Sequence, residues 1–172
     1  KYTRAPEKFE DGAPKPWELK DKIAIIYGAG EIRSGKSDQQ TMGSKTIVKA
    51  IRAAREDSSI KAIVFRVNSP GGSALASDVM WRETQLAKAA KPFVISMGGL
   101  AASGGYWLAC AADEIFASRA SIVGSIGVVS SGFGFDKAIE KIGVDRRLYT
   151  SGDNKAILDP FMPEKKDEVK RL

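Results

Sequence analysis

There is no histidine anywhere in the 172 residues. That excludes a Ser-His-Asp triad, in which an imidazole takes the proton of the nucleophile. There is one cysteine, Cys110, so an internal disulfide is excluded. Without histidine and with a single thiol there is no set of zinc ligands of the usual kind, and no metal is expected. No apolar run approaches the roughly 20 residues a membrane span requires, and no signal peptide opens the chain. Neither a Walker A loop nor GxGxxG occurs, so nucleotide binding has no specific support. No internal repeat or low-complexity tract is visible. Cys110 stands in the apolar run "WLACAA" and is expected to be a small buried core residue.

What is present suits a soluble globular chain. Hydrophobic residues make up 43% and charged residues 28%, enough for a sizeable core under an ordinary surface. The net charge is +6, but lysine and arginine are dispersed, with no Arg-rich arm and no basic–aromatic interleaving. No nucleic-acid partner is therefore expected. Residues 1–20 hold three of the seven prolines and many charges, and read as an arm or linker. The chain opens at Lys1 without methionine, which reads as a fragment whose anchor or signal was left out. Residues 21–172 read as one catalytic domain, truncated at its C-terminus.

From residue 22 the pattern alternates. "KIAIIY" (22–27), "IKAIVFRV" (60–67) and "PFVISM" (92–97) read as buried strands. "EIFA", "SIVGSIGVVS" and "RRLYT" read as further strands. Between them, residues 44–57, 73–90, 103–113 and 135–143 read as helices, with Ser44 as a candidate N-cap. "PEKKDEVKRL" begins a last helix. Apolar strands alternating with helices predict an α/β fold, its strands parallel, its crossovers right-handed and its sheet covered by helices. Ligands in such folds sit at the carboxyl ends of the strands. There the glycines gather, in "NSPGGSA", "MGGLAASGG" and "VGSIG".

Two of these turns carry chemistry. In "SPGG", Gly71 and Gly72 let bare backbone N–H groups approach a ligand, either a phosphate or the oxyanion of acyl transfer. The same stretch equally makes a plain strand-to-helix turn. In "AASGG", Ser103 reads as an N-cap, a packing residue or a nucleophile. A serine hydroxyl attacks only when a base takes its proton. Without histidine the bases left are lysine, carboxylates or a terminal amine. A lysine serves only where its surroundings free it of its proton near neutrality. Lys155, in "TSGDNKAILDPF", lies directly before Ala-Ile-Leu and near Phe161, whereas most other lysines sit in charged or helical-surface contexts.

As a set, "SPGG", "AASGGYW", "VGSIGV" and "SGDNKAILDPF" resemble the signal peptide peptidase A (protease IV) family, the S49 serine peptidases, in their short form. The resemblance covers roughly residues 22–172. It implies a crotonase- or ClpP-like α/β core with a Ser/Lys dyad and no cofactor. By motif, Ser103 is the nucleophile, Lys155 the general base and Ser125 the residue that orients the lysine amine. Gly71 or Gly72 supplies the oxyanion donor. Around the nucleophile, Gly99, Leu100, Ala101 and Ala102 are expected to line the substrate. The implied substrates are apolar peptides such as signal-peptide remnants, in or near the membrane. The implied setting is a bacterial cell membrane, with the catalytic domain extracytoplasmic, held by an anchor this chain lacks, while the fragment itself is soluble. The implied assembly is a ring- or dome-like homo-oligomer with its site near a subunit boundary. Two other readings stay open. One is an acyl-CoA enzyme of the crotonase superfamily, with Ser103 as mere packing; the other is a non-catalytic module that assembles at membranes.

Overall fold

The computed structural model describes residues 21–152 and 155–170, so the expected arm over residues 1–20 lies outside the described residues. Two compact units emerge, the first ending at Val128 and the second beginning at Val129.

The first unit runs β1 (Lys22–Ala29), β2 (Glu31–Arg33), β3 (Thr41–Gly43), α1 (Ser44–Glu56), β4 (Ile60–Ser69), α2 (Ala74–Lys88), β5 (Phe93–Ala102), α3 (Gly104–Ala109), β6 (Glu114–Phe116) and β7 (Ile122–Gly124). The main sheet has the order β1-β4-β5-β6, and β7 pairs with β5. Every pairing in it is parallel, as strands joined through helices require. β2 and β3 form a separate two-stranded ribbon that the sequence pattern does not reveal, each strand being three residues long.

Strand alternation decides the core. Ile63, Phe65 and Val67 of β4 and Phe93, Ile95 and Met97 of β5 point to one face. There they cluster with Ile47 and Ile51 of α1, Met80 of α2 and Leu108 of α3. Glu83 of α2 is also buried, and its carboxylate accepts from Arg52 at 2.8 Å and Arg55 at 3.3 Å, which ties α2 to α1. Phe65 is wholly buried, and its ring packs so closely on β1 that a Cβ at Gly28 would lie 2.8 Å from it. Phe65→Ala should therefore cost about 3–5 kcal/mol, read as a lowered midpoint in urea unfolding of the whole chain.

Several expectations need correction. β1 is not buried on both sides: Ile23, Ile25 and Tyr27 are 65%, 59% and 65% exposed, because the helices pack on the opposite face. Ser44 does not cap α1. Gly43 holds the N-cap position, and Ser44 is the buried first helical residue with no side-chain capping bond. A side chain at Gly43 would run into the backbone of Lys36 and Ser37, and Ser37 Oγ takes the Gly43 N–H at 2.9 Å. Cys110 is exposed, since it follows the last residue of α3 and turns away from the core. Ser73 does cap α2, accepting from the Ala76 N–H at 3.3 Å.

In the second unit the described elements are α4 (Asp136–Lys141) and α5 (Lys166–Val169). "RRLYT" forms no strand there, because no described segment offers it a ladder of backbone partners. Arg146 of this stretch instead pairs with Asp159 at 2.9 Å.

Candidate active site

β5 does not stop at Met97. The residues "GGLAA" continue the strand to Ala102, and the chain then turns at Ser103 into α3. What extends β5 is β7, which pairs Leu100 with Ile122, Ala101 with Val123 and Ala102 with Gly124. The next backbone bond runs from the Ser103 N–H to Gly124 O at 3.0 Å. Ser103 and Ser125 therefore stand at neighbouring positions across two parallel strands. Each has φ of 49°, a left-handed conformation costly for a residue with a Cβ. A half-buried serine held in this conformation between a strand and a helix is a typical bearing for a nucleophile. The Ser103 hydroxyl donates to Gly127 O over 3.4 Å, a long bond that leaves it readily displaced.

The two glycines after Ser103 have a packing reason. A Cβ on Gly104 would lie 2.3 Å from Ser77 Oγ of α2, and one on Gly105 would lie 2.9 Å from the Ser69 carbonyl of β4. Bare backbone lets α3 start against both elements.

The "SPGG" turn arrives from β4. Gly71 lies directly against the serine: a Cβ built there would be 2.8 Å from Ser103 Cβ and 2.8 Å from the Gly104 nitrogen. Both glycines have positive φ, 98° at Gly71 and 148° at Gly72. The Gly71 N–H already donates to Ser69 Oγ at 3.1 Å. The Gly71 carbonyl accepts from Ile32, and the Ser73 N–H donates to Ile32 O. Backbone polar groups alternate sides along an extended segment, so the N–H of Gly72 points away from Ile32. Gly104, as the first residue of α3, has an N–H with no intrahelical acceptor. Sequence reasoning missed Gly104 as a donor. The signal was available, because the residue after a nucleophile at a strand–helix turn commonly supplies such an N–H.

The structure brings Ser103, Ser125, Gly71 and Gly72 together within the first unit. Of the residues expected to line the substrate, Gly99 is exposed, Leu100 and Ala102 are half-buried, and Ala101 belongs to the core. The Leu100 N–H is held by the Asn68 side chain at 3.0 Å. Lys155 lies in the second unit, where its side chain is exposed and its N–H donates to Gly152 O at 3.3 Å. Its turn is closed by the Asp159 N–H donating to Ala156 O at 3.0 Å. Asp159 in turn accepts from the Phe161 N–H and from Arg146, and these two donors hold its carboxyl below the usual carboxylate range. A lowered value stabilises the folded turn above the ordinary carboxylate pKa and loses that contribution as pH falls through the lowered one. The protection factor of the Phe161 amide, taken against the intrinsic exchange rate at each pH, should accordingly fall once the solution is brought below the ordinary carboxylate range near pH 4. Unchanged protection down to pH 2 would contradict this.

Among the described residues no group of His, Cys, Asp and Glu could hold a metal ion. None of their helices is long and apolar enough to cross a membrane.

Parallel strands ending in glycine turns, one of them bearing the serine, place the chain in the crotonase/ClpP-like α/β class, and residues 18–126 match the family described as Clp protease. Residues 85–172, which hold both serines and the lysine, match the family described as Peptidase family S49. The chain belongs to peptidase family S49. Protease 4 of Haemophilus influenzae is 43% identical over 143 residues, 83% of this chain and 22% of that protein. A Brucella melitensis protein named Na(+)/H(+) antiporter NhaA is 40% identical over 157 residues, 90% of this chain and 21% of that protein. Serine protease SPPA, chloroplastic, of Arabidopsis thaliana is 42% identical over 163 residues, 87% of this chain and 24% of that protein. The chain thus spans less than a quarter of the length of each of these relatives.

Proposed function

We propose that this chain carries the catalytic machinery of a serine endopeptidase that works through a Ser103/Lys155 dyad. The observation that carries the reading is the junction of β5 and α3, where Ser103 is held at positive φ against Gly71 and beside Ser125. The antiporter name stays with the Brucella melitensis protein, because residues 85–172 of this chain match peptidase family S49.

In the proposed reaction the neutral Lys155 amine takes the proton of Ser103 Oγ as the oxygen attacks the scissile carbonyl. The C–O bond forms, and the carbonyl electron pair becomes an oxyanion. The N–H groups of Gly72 and Gly104 stabilise that charge, each such donor being worth roughly 10²–10³ in turnover. Collapse breaks the C–N bond, and the leaving amine takes the proton held by Lys155. Water, deprotonated by the same lysine, then releases the acyl group and restores Ser103. Ser125 orients the lysine amine.

The substrates are apolar peptides, signal-peptide remnants in or near a membrane. Residues 98–102, which lead into the serine, and residues 122–124, which pair with them, are methyl-bearing side chains and glycines, so pockets built there exclude charge but separate neighbouring aliphatics poorly, one methylene being worth about 1–3 kcal/mol. A peptide library read by mass spectrometry should show cleavage next to small or apolar residues. Preference for Lys or Asp at the cleaved bond would count against the reading. The proposed setting is the extracytoplasmic side of a bacterial membrane, with the chain in a ring- or dome-like homo-oligomer.

The direct test of the nucleophile is covalent. A fluorophosphonate should add one adduct per chain, on the peptide holding Ser103, and none to Ser103→Ala. An unlabelled wild-type chain that nonetheless hydrolyses peptides would remove Ser103 from the mechanism.

A further inference from the structure

Ser69, the last residue of β4, is 1% exposed, and the reaction proposed above makes no use of it. Its hydroxyl is fully engaged. It donates to Gly30 O at 2.7 Å, across 39 positions of sequence, and accepts from the Gly71 N–H at 3.1 Å. A local Ser bond to the backbone two residues on is common in turns and by itself says little. The Gly30 bond is different, because it anchors the hydroxyl to the turn that ends β1. That turn is fixed again by the Gly30 N–H donating to Asn68 O at 3.0 Å and by the Ile32 N–H donating to Gly71 O at 2.7 Å. Ser69 also meets α3, since a Cβ on Gly105 would come within 3.3 Å of its own Cβ. The buried hydroxyl thus joins the ends of β1 and β4, and the carbonyl and Cβ of the same residue lie against the start of the helix that Ser103 opens.

We infer that Ser69 is the positioning residue of the oxyanion site: by holding the Gly71 N–H it fixes the peptide planes of the glycine turn so that the Gly72 N–H faces the carbonyl attacked by Ser103. The inference rests on the proposed peptidase reading. Two glycines in a row with positive φ have wide backbone freedom, so an unanchored turn would sample many orientations. A donor aimed away from the developing oxyanion contributes nothing, even when the substrate still binds. Ser69→Ala removes the acceptor and leaves the Gly71 N–H buried without its partner.

The test uses the whole chain and compares wild type, Ser69→Ala, Ser69→Thr and Ser103→Ala. It reads kcat and KM on an apolar peptide ester, the inhibition constant of a matching peptide boronate, and the folded fraction by circular dichroism. Corrected for folded fraction, Ser69→Ala should lose about 10–100-fold in kcat with KM within about twofold. Boronate affinity should fall by the same factor as kcat/KM, because the boronate mimics the tetrahedral state. Ser69→Thr, which keeps the hydroxyl, should recover at least half of the lost kcat on a logarithmic scale. A merely structural role would lower the folded fraction and leave the corrected kcat and the boronate affinity unchanged, and that result overturns the inference. A loss confined to KM overturns it as well. If wild type shows no hydrolysis beyond that of Ser103→Ala, the peptidase reading falls and the inference with it. If wild type is active and Ser69→Ala equals it, the inference alone falls.

Discussion

Ser103→Ala should abolish peptide hydrolysis, lowering kcat by about 10⁶-fold, as removal of a serine nucleophile does. The substitution is a clean one. Alanine keeps the Cβ, which is the atom packed near Gly71, and gives up only the hydroxyl, whose one described bond is the long contact to Gly127 O at 3.4 Å. The main-chain bonds that hold the turn, from the Ser103 N–H to Gly124 O and from the Trp107 N–H to Ser103 O, do not involve the side chain. The thermal midpoint should therefore stay within a few degrees of wild type, while turnover disappears. Residual activity within tenfold of wild type, with the protein folded, would show that Ser103 is not the attacking group. Ser125→Ala should fall between wild type and Ser103→Ala, because Ser125 is proposed to orient the base rather than to form a bond. Ser125 is exposed, so its loss too should leave stability unchanged.

How much of this was legible beforehand depends on the range of the forces involved. The parallel sheet was, because "IKAIVFRV" and "PFVISM" are apolar runs separated by helical periodicity, and such runs have few other uses. Ser103 was legible locally as an N-cap, a packing residue or a candidate nucleophile, and only the set of motifs favoured the last. The structure gives the two glycines behind it a packing reason: Gly104 makes room for Ser77 and Gly105 for Ser69, contacts made across about 27 and 36 positions of sequence. No local pattern reports them. Ser44 failed as a cap for a similar reason, because the backbone at Lys36 and Ser37 leaves room only for glycine just before the helix. Cys110 was misplaced because an apolar neighbourhood in sequence says nothing of which way the chain turns after α3. "RRLYT" has the composition of a strand, but a strand needs a partner, and composition cannot name one. That the Gly71 N–H is already engaged was also out of reach, since it turns on where the Ser69 hydroxyl points.

Lys155→Ala should be nearly as damaging as loss of the serine, and how the two inactive proteins behave together is the more telling measurement. Ser103 belongs to the first unit and Lys155 to the second. The lysine's neighbourhood is apolar yet uncovered: Leu158 is 54% exposed and Phe161 41%, with Phe161 stacked on Phe135 at 5.7 Å. Exposed apolar side chains beside a required base are what a neighbouring subunit would cover on assembly, and a lysine works as a base only when its surroundings favour the neutral amine. In a symmetric ring each subunit would then complete the site of the next. Ser103→Ala subunits retain the lysine and Lys155→Ala subunits retain the serine, so mixed rings would contain some intact pairs. For randomly mixed equal amounts, with one neighbour supplying each lysine, about a quarter of the sites would be whole, and activity should return to roughly that fraction of wild type. Mixing must be done under conditions that let subunits exchange, with exchange checked by mass spectrometry of differently labelled chains. Exchanged mixtures that stay as inactive as their components would place both members of the dyad in one chain. A fully active monomer would end the shared-site proposal altogether, while leaving Ser103 and Lys155 as the dyad.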